Sequence, residues 1–203
     1  MVPSLTMPST AVDDEITPAR SQRAAALPPD ERRAAIVAAT LPLVLEHGEG
    51  VSTRQIAIAA GIAEGTIFRA FPDKDSLITA VVEAAFDPAP AEAALAEIDS
   101  SLPFERRLAL AVEIVQSRLQ RIWRLSSLIG SAKVPPRQHR PPDLDGLARL
   151  FESESAQLTF DPDMSARMLR AVTLATSHPA LIGDEVMTPE QIVALLLDGI
   201  RVR

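Results

Sequence analysis

Two short helical stretches joined by Ala60-Gly61-Ile62 constrain this chain more than any other feature. The first opens on Ser52 with Gln55 three positions on, the side-chain pair of a capping box, and runs Thr53 to Ala60. The second covers about Ala63 to Phe71 and is closed by Pro72-Asp73. Gly61 permits a left-handed turn between them, and Ile62 can plug the angle they make. Ile56, Ala57, Ile67 and Phe71 have the spacing of a small shared core, while Ala57, Ala59 and Ala60 keep the helices close. The pair predicts a helix-turn-helix, although many α-hairpins share that spacing.

The flanks extend the same plan. Upstream, Ile36, Val37, Leu41, Val44 and Leu45 recur at helical spacing, with Pro42 inside the run and His47-Gly48 as its stop. Pro42 should bend or loosen that helix. Downstream, Asp73 can cap a helix carrying Leu77, Ile78, Val81, Val82 and Phe86 as far as Pro88. Further helices are expected at about 90–100, 103–130, 142–159, 163–181 and 188–202, separated by proline or glycine. A hydrophobic share of 47% with only 3% aromatics suits such an all-α fold of about nine helices better than a β-sandwich. Residues 1–27, rich in proline, serine and threonine, read as an N-terminal arm in which Arg20 and Arg23 could touch phosphate. The basic, proline-rich stretch Lys133 to Pro142 reads as a surface loop. The expected organisation is an arm over 1–27, a three-helix helix-turn-helix domain over 28–75, and a helical ligand-binding and dimerisation domain over 76–203.

Several function classes are disfavoured. The sequence has no cysteine, which removes disulfides and thiolate metal sites, and its three histidines, His47, His139 and His178, show no metal-ligand spacing. It has no G-x-S-x-G, no P-loop and no paired acid and base, so neither an enzyme nor a cofactor protein is expected. No apolar run reaches the ~18 residues of a membrane span. A cytoplasmic protein without a membrane partner is expected. The net charge of −7 argues against general nucleic-acid affinity, so any DNA contact needs a local basic face. Across residues 30–80, Arg32, Arg33, Arg54, Arg69 and Lys74 meet a similar number of acids, and the basic ones must therefore be sorted onto one face.

The segment Glu64-Gly65-Thr66-Ile67-Phe68-Arg69-Ala70-Phe71-Pro72-Asp73-Lys74-Asp75-Ser76-Leu77 closely resembles the recognition-helix segment of the TetR (tetracycline repressor) family. So do Ser52-Thr53-Arg54-Gln55-Ile56-Ala57, Ala60-Gly61-Ile62-Ala63, and the upstream Arg33-x-x-Ile36-x-x-Ala39 ending in Glu46-His47-Gly48. The resemblance covers about residues 32–80 and, more weakly, a closing helix from Ile192 to Arg203. It implies a dimeric, ligand-responsive transcriptional regulator, usually a repressor, on double-stranded operator DNA. A helix-turn-helix enters the major groove with the start of its second helix, so Thr53, Arg54, Glu64, Gly65, Thr66, Phe68, Arg69 and Lys74 are the candidate DNA contacts. Gly65 lets backbone approach DNA; Thr66 can meet a phosphate or a thymine methyl; Arg54, Arg69 and Lys74 suit phosphate or guanine. Glu64 could accept from cytosine or repel the DNA backbone. In the family the Thr66, Phe68 and Lys74 positions commonly touch DNA. This sequence departs from the pattern with Phe68 for the usual tyrosine, Ala70 for an aromatic or histidine, and Ala63 for a serine cap. Those departures keep open an alternative, a helical protein-interaction dimer with a degenerate helix-turn-helix.

The last two helices carry a broad apolar surface. Leu169 and Val172 on one, and Ile192, Leu195, Leu196 and Ile200 on the other, are candidates for a homodimer interface. Leu195-Leu196-Leu197 is apolar over more than one helix face, so it needs burial on two sides. The candidate pocket for an unidentified small-molecule effector is lined by Leu108, Val112, Val115, Gln116, Leu119, Trp123, Phe151, Ser155 and Met168. With few charges on those stripes, the expected effector is small and largely apolar.

Overall fold

The computed structural model describes residues 28–129, 145–183 and 185–200. The expected N-terminal arm and the Lys133–Pro142 loop lie outside the described residues. Within them the elements are α1 (Pro29–His47), α2 (Thr53–Ala60), α3 (Glu64–Ala70), α4 (Lys74–Phe86), α5 (Ala89–Ala96), α6 (Phe104–Leu128), α7 (Asp145–Glu152), α8 (Pro162–Ser177), α9 (Pro179–Ile182) and α10 (Pro189–Ile200). No strand occurs among the described residues, and the fold is all-α as the sequence predicts.

Local chemistry explains most boundaries. Pro29 opens α1, where a missing N–H costs nothing, and Asp30 and Glu31 complement the helix dipole. The helix stays continuous through Pro42 to His47. Asp73 and Ser76 form a reciprocal capping box at the start of α4, and the Ser76 N–H holds the Asp73 carboxyl below its ordinary range. Thr188 and Gln191 exchange the same pair of bonds ahead of α10.

Two expected helices come out shorter. The 163–181 helix breaks at His178, because Pro179 drives the preceding residue to an extended conformation (φ −85°, ψ 118°) and separates α8 from α9. The 142–159 helix ends at Glu152. There Arg107 of α6 draws the chain inward, with Nη2 3.1 Å from Ser153 Oγ and 3.5 Å from Glu154 Oε1, and a 3-10 turn follows over Ser155–Gln157.

Two apolar cores result. The N-terminal one joins Ile36 and Val44 of α1, Ile56 and Ala57 of α2, Ile67 of α3, Phe71, and Leu77, Ile78, Val81 and Val82 of α4. The C-terminal one joins faces of α5, α6, α7, α8 and α10 around Leu108, Val112, Phe151, Leu169 and Ile192. The long α6 belongs to both, since Leu125 and Ile129 beyond its end pack into the N-terminal core. Gly48, after α1, is where the end of α6 closes on the first domain. Its φ is +60° and ψ −144°, a conformation reserved for glycine, and a Cβ there would lie 3.0 Å from the Leu128 carbonyl oxygen. Gly48→Ala should therefore cost on the order of 1–3 kcal/mol, read as a lower urea midpoint with unchanged helical content; a midpoint equal to wild type would contradict it.

Candidate nucleic-acid interface

The turn between α2 and α3 is set by Gly61, which sits in the left-handed region (φ 65°, ψ 32°). Its N–H donates to the Ile58 carbonyl at 3.1 Å and the Ile62 N–H reaches back to Ala57 at 3.0 Å, which satisfies the last carbonyls of α2. Ser52 and Gln55 make both bonds of the capping box. Ala63 precedes α3 without any side-chain cap. Instead, the Thr53 hydroxyl donates to the Glu64 carboxylate and ties the start of α2 to the start of α3.

Helix α3 is anchored by one face and open on the other. Ile67 is fully buried, Thr66 and Ala70 are half-buried, and Glu64, Gly65, Phe68 and Arg69 are exposed. Gly65, Phe68 and Arg69 stand at i, i+3 and i+4, so they share one outward stripe. Phe68 is 50% exposed, a large ring with no place in the core. At the other end of α3, the Arg33 guanidinium lies 4.2 Å from the centre of the Phe71 ring and donates to the Ala70 carbonyl. A cation over a ring and a charged donor on a helix-end carbonyl both hold α3 against α1.

The basic residues differ in what they touch. Arg33 is committed to α3, and Lys74 donates from Nζ to the Glu49 carbonyl in the turn after α1. Arg54 and Arg69 remain exposed on α2 and α3. Of the eight candidate contacts, Thr53 and Glu64 brace each other, Gly65, Phe68 and Arg69 form a stripe, and Lys74 marks the corner between α3 and α4. Sequence reasoning counted Arg33 among the basic residues but did not foresee that it braces α3. Its partners are 37 and 38 residues away along the chain and leave no local trace. Sequence reasoning left out Ile58, which is 72% exposed one turn beyond Arg54.

The matching family model is described as bacterial regulatory proteins, tetR family, and it matches residues 36–81, from α1 into α4. This is a TetR-family helix-turn-helix. Beyond that segment, solved structures show a likeness of fold over most of the chain. A TetR-family transcriptional regulator from Mesorhizobium loti superposes with a TM-score of 0.59 at 17% identity, covering 87% of this chain and 100% of that one. One from Vibrio parahaemolyticus gives 0.55 at 21% identity, covering 85% and 100%. A protein described in work on the control of antibiotic production by bacterial hormones gives 0.57 at 22%, covering 85% and 98%. No curated protein matches the sequence. The fold is thus one used by DNA-binding transcriptional regulators, and no helix among the described residues is long and apolar enough to cross a membrane.

The candidate pocket and interface residues fall in different settings. Leu108, Val112, Val115 and Phe151 are buried in the C-terminal core, and Leu119 and Met168 pack at its edge. Gln116 is buried and donates from Nε2 to Ser177 Oγ at 2.9 Å and to the Met187 carbonyl at 3.0 Å. Trp123 meets the His178 ring edge-on at 4.7 Å, and Ser155 is exposed on the 3-10 turn. These residues form packed interior, a 3-10 turn and a helix junction, and the described clefts lie elsewhere. Of the interface candidates, Leu169, Ile192 and Leu196 are buried within their own chain and Val172 is half-buried. Leu195 is 53% exposed, as is Leu174 of α8 at 41%. The side chain of Ile200 lies outside the described residues.

Proposed function

We propose that this chain is a repressor that binds double-stranded operator DNA as a homodimer and is released by a small, largely apolar effector. The observation that carries the proposal is the outward stripe of Gly65, Phe68 and Arg69 on a helix braced from both ends by Thr53–Glu64 and Arg33–Phe71. A short rigid helix with a small residue, a ring and a cation on its free face suits a major groove, with Arg54 placed for the flanking backbone. One such helix reads only a few base pairs, and two half-sites read together supply the rest. The exposed Leu174 and Leu195 support pairing through α8 and α10. On this reading residues 28–75 form the DNA-binding domain and 76–203 the effector and dimerisation domain, acting in the cytoplasm where the operator is. An effector within the Leu108–Met168 set requires the core to part, and the resulting shift of α6 would reach the N-terminal core through Leu125 and Ile129.

The test is selection of bound fragments from a random DNA pool, followed by titration at several salt concentrations. A palindromic site and a steep salt slope are expected. Arg69→Ala should weaken binding and flatten that slope by about one, as expected when a single phosphate is left without its cation. A slope near zero would contradict the proposal. The exposure of Phe68 and Ile58 favours the second reading, a protein-binding surface, and in that case no DNA is retained.

A further inference from the structure

On the face of α6 turned toward α4 and α5 lies an open cleft of about 300 Å³. That size is at the lower end of the range for small-molecule sites, roughly 300–1,000 Å³. Its apolar wall includes Ala91, Ala94 and Ile114, and its basic groups are Arg118 and Arg121. Arg118 is half-buried, and its Nη2 donates to the Phe86 carbonyl at 2.6 Å, at the last residue of α4. Its Nε is enclosed and has no hydrogen-bond acceptor among the described residues. A shielded guanidinium donor left unmatched is costly, and the acceptor that best matches the planar fork is a carboxylate with two oxygens.

The rest of the wall narrows the ligand further. Asp87 and Glu113 also line the cleft, so a ligand with several negative charges meets repulsion there. The Asp87 carboxylate accepts from the Ala89 N–H at 3.0 Å, and its charge also favours the Arg118 cation, which leaves room for one further carboxylate rather than several. We infer that this cleft binds a small monocarboxylate with a compact apolar body, whose carboxylate engages Arg118 and whose body rests on Ala94 and Ile114.

The same contact gives the ligand a route to the DNA-binding domain. Arg118 secures the end of α4, whose Leu77, Ile78, Val81 and Val82 pack in one core with Ile67 of α3. A carboxylate competing for the guanidinium frees the Phe86 carbonyl and loosens the join between α4 and α6. This regulatory half rests on the reading of the chain as a DNA-binding regulator, whereas the binding half does not.

The experiment uses the full chain labelled with ¹⁵N, with sodium benzoate as the probe and benzamide as its neutral counterpart. The Arg118 Nε–Hε cross-peak is assigned by its loss in Arg118→Lys. Benzoate should move that peak saturably, and benzamide should leave it in place. Ala94→Phe, which fills the cleft without replacing the guanidinium, should abolish the benzoate shift. No saturable shift at tens of millimolar benzoate overturns the site, as does an equal shift with benzamide or an undiminished one in Ala94→Phe. In the regulatory arm, saturating benzoate should weaken operator binding about tenfold, within the usual range of coupling between sites. Benzoate binding by a protein that retains no DNA supports the cleft and overturns the regulator reading. Operator binding indifferent to bound benzoate overturns the coupling through Phe86.

Discussion

Leu195→Glu should give a folded monomer whose operator affinity is lower by roughly 100-fold or more. In the single chain Leu195 is 53% exposed while Ile192, Val193, Leu196 and Leu197 of the same helix are buried, so a carboxylate at this position stays in water. Substitutions of that kind usually change stability by about 0.5 kcal/mol or less. Pairing of α8 and α10 across a two-fold axis would instead bury the new charge twice, at several kcal/mol per ion. A monomer then loses the second half-site, and with it an avidity gain of about 10²–10⁴. Light scattering gives the oligomeric state, circular dichroism the fold, and fluorescence anisotropy the affinity. A variant that remains dimeric would rule out this face as the interface. One that is monomeric with full affinity would rule out the two-site mechanism.

Phe71→Ala is expected to have the largest effect on stability. Phe71 is 1% exposed and stands where α3 meets α4, among Ile67, Leu77 and Ile78. Removing a buried phenylalanine typically costs about 3–5 kcal/mol, counting both lost transfer energy and the cavity. The Arg33 guanidinium 4.2 Å above the ring loses its partner as well, adding about 0.5–1 kcal/mol. Against the roughly 5–15 kcal/mol that holds a domain folded, the loss is large enough to leave the helix-turn-helix partly unfolded at ambient temperature. Urea unfolding followed by circular dichroism measures it. Arg33→Ala should reproduce only the smaller share, because the ring stays in place. A Phe71→Ala loss below about 1 kcal/mol would mean that the core relaxes around the gap.

The features legible in the sequence are those whose partners are a few residues away. Ser52 and Gln55, the Asp73 cap and the left-handed Gly61 each act within one helical turn, and each occurs as the spacing predicts, while the return bond from Ser76 is added by the structure. The buried set Ile56, Ala57, Ile67 and Phe71 was legible for the same reason, since helical periodicity fixes one face. The break at His178 was legible in principle, because Pro179 stands beside it and the polar Thr176 and Ser177 precede it. The premature end of α7 was not, because it depends on Arg107, 46 residues away from Ser153. Of the basic residues, composition could count Arg33, Arg54, Arg69 and Lys74 but could not say which are occupied. That depends on hydrogen bonds to Ala70 and Glu49 across separations of 37 and 25 residues.

The sequence alone determined an all-α chain with a helix-turn-helix over α2 and α3, because caps, turn glycine and apolar spacing are short-range properties of the polymer. Only the tertiary structure decided that Arg118 secures the end of α4, that α6 enters both cores, and that Leu195 rather than Leu196 is left outside. Each of these depends on how a helix is rotated about its axis when it docks. That rotation is chosen by the packing of all its neighbours together, and a single helix carries no record of it.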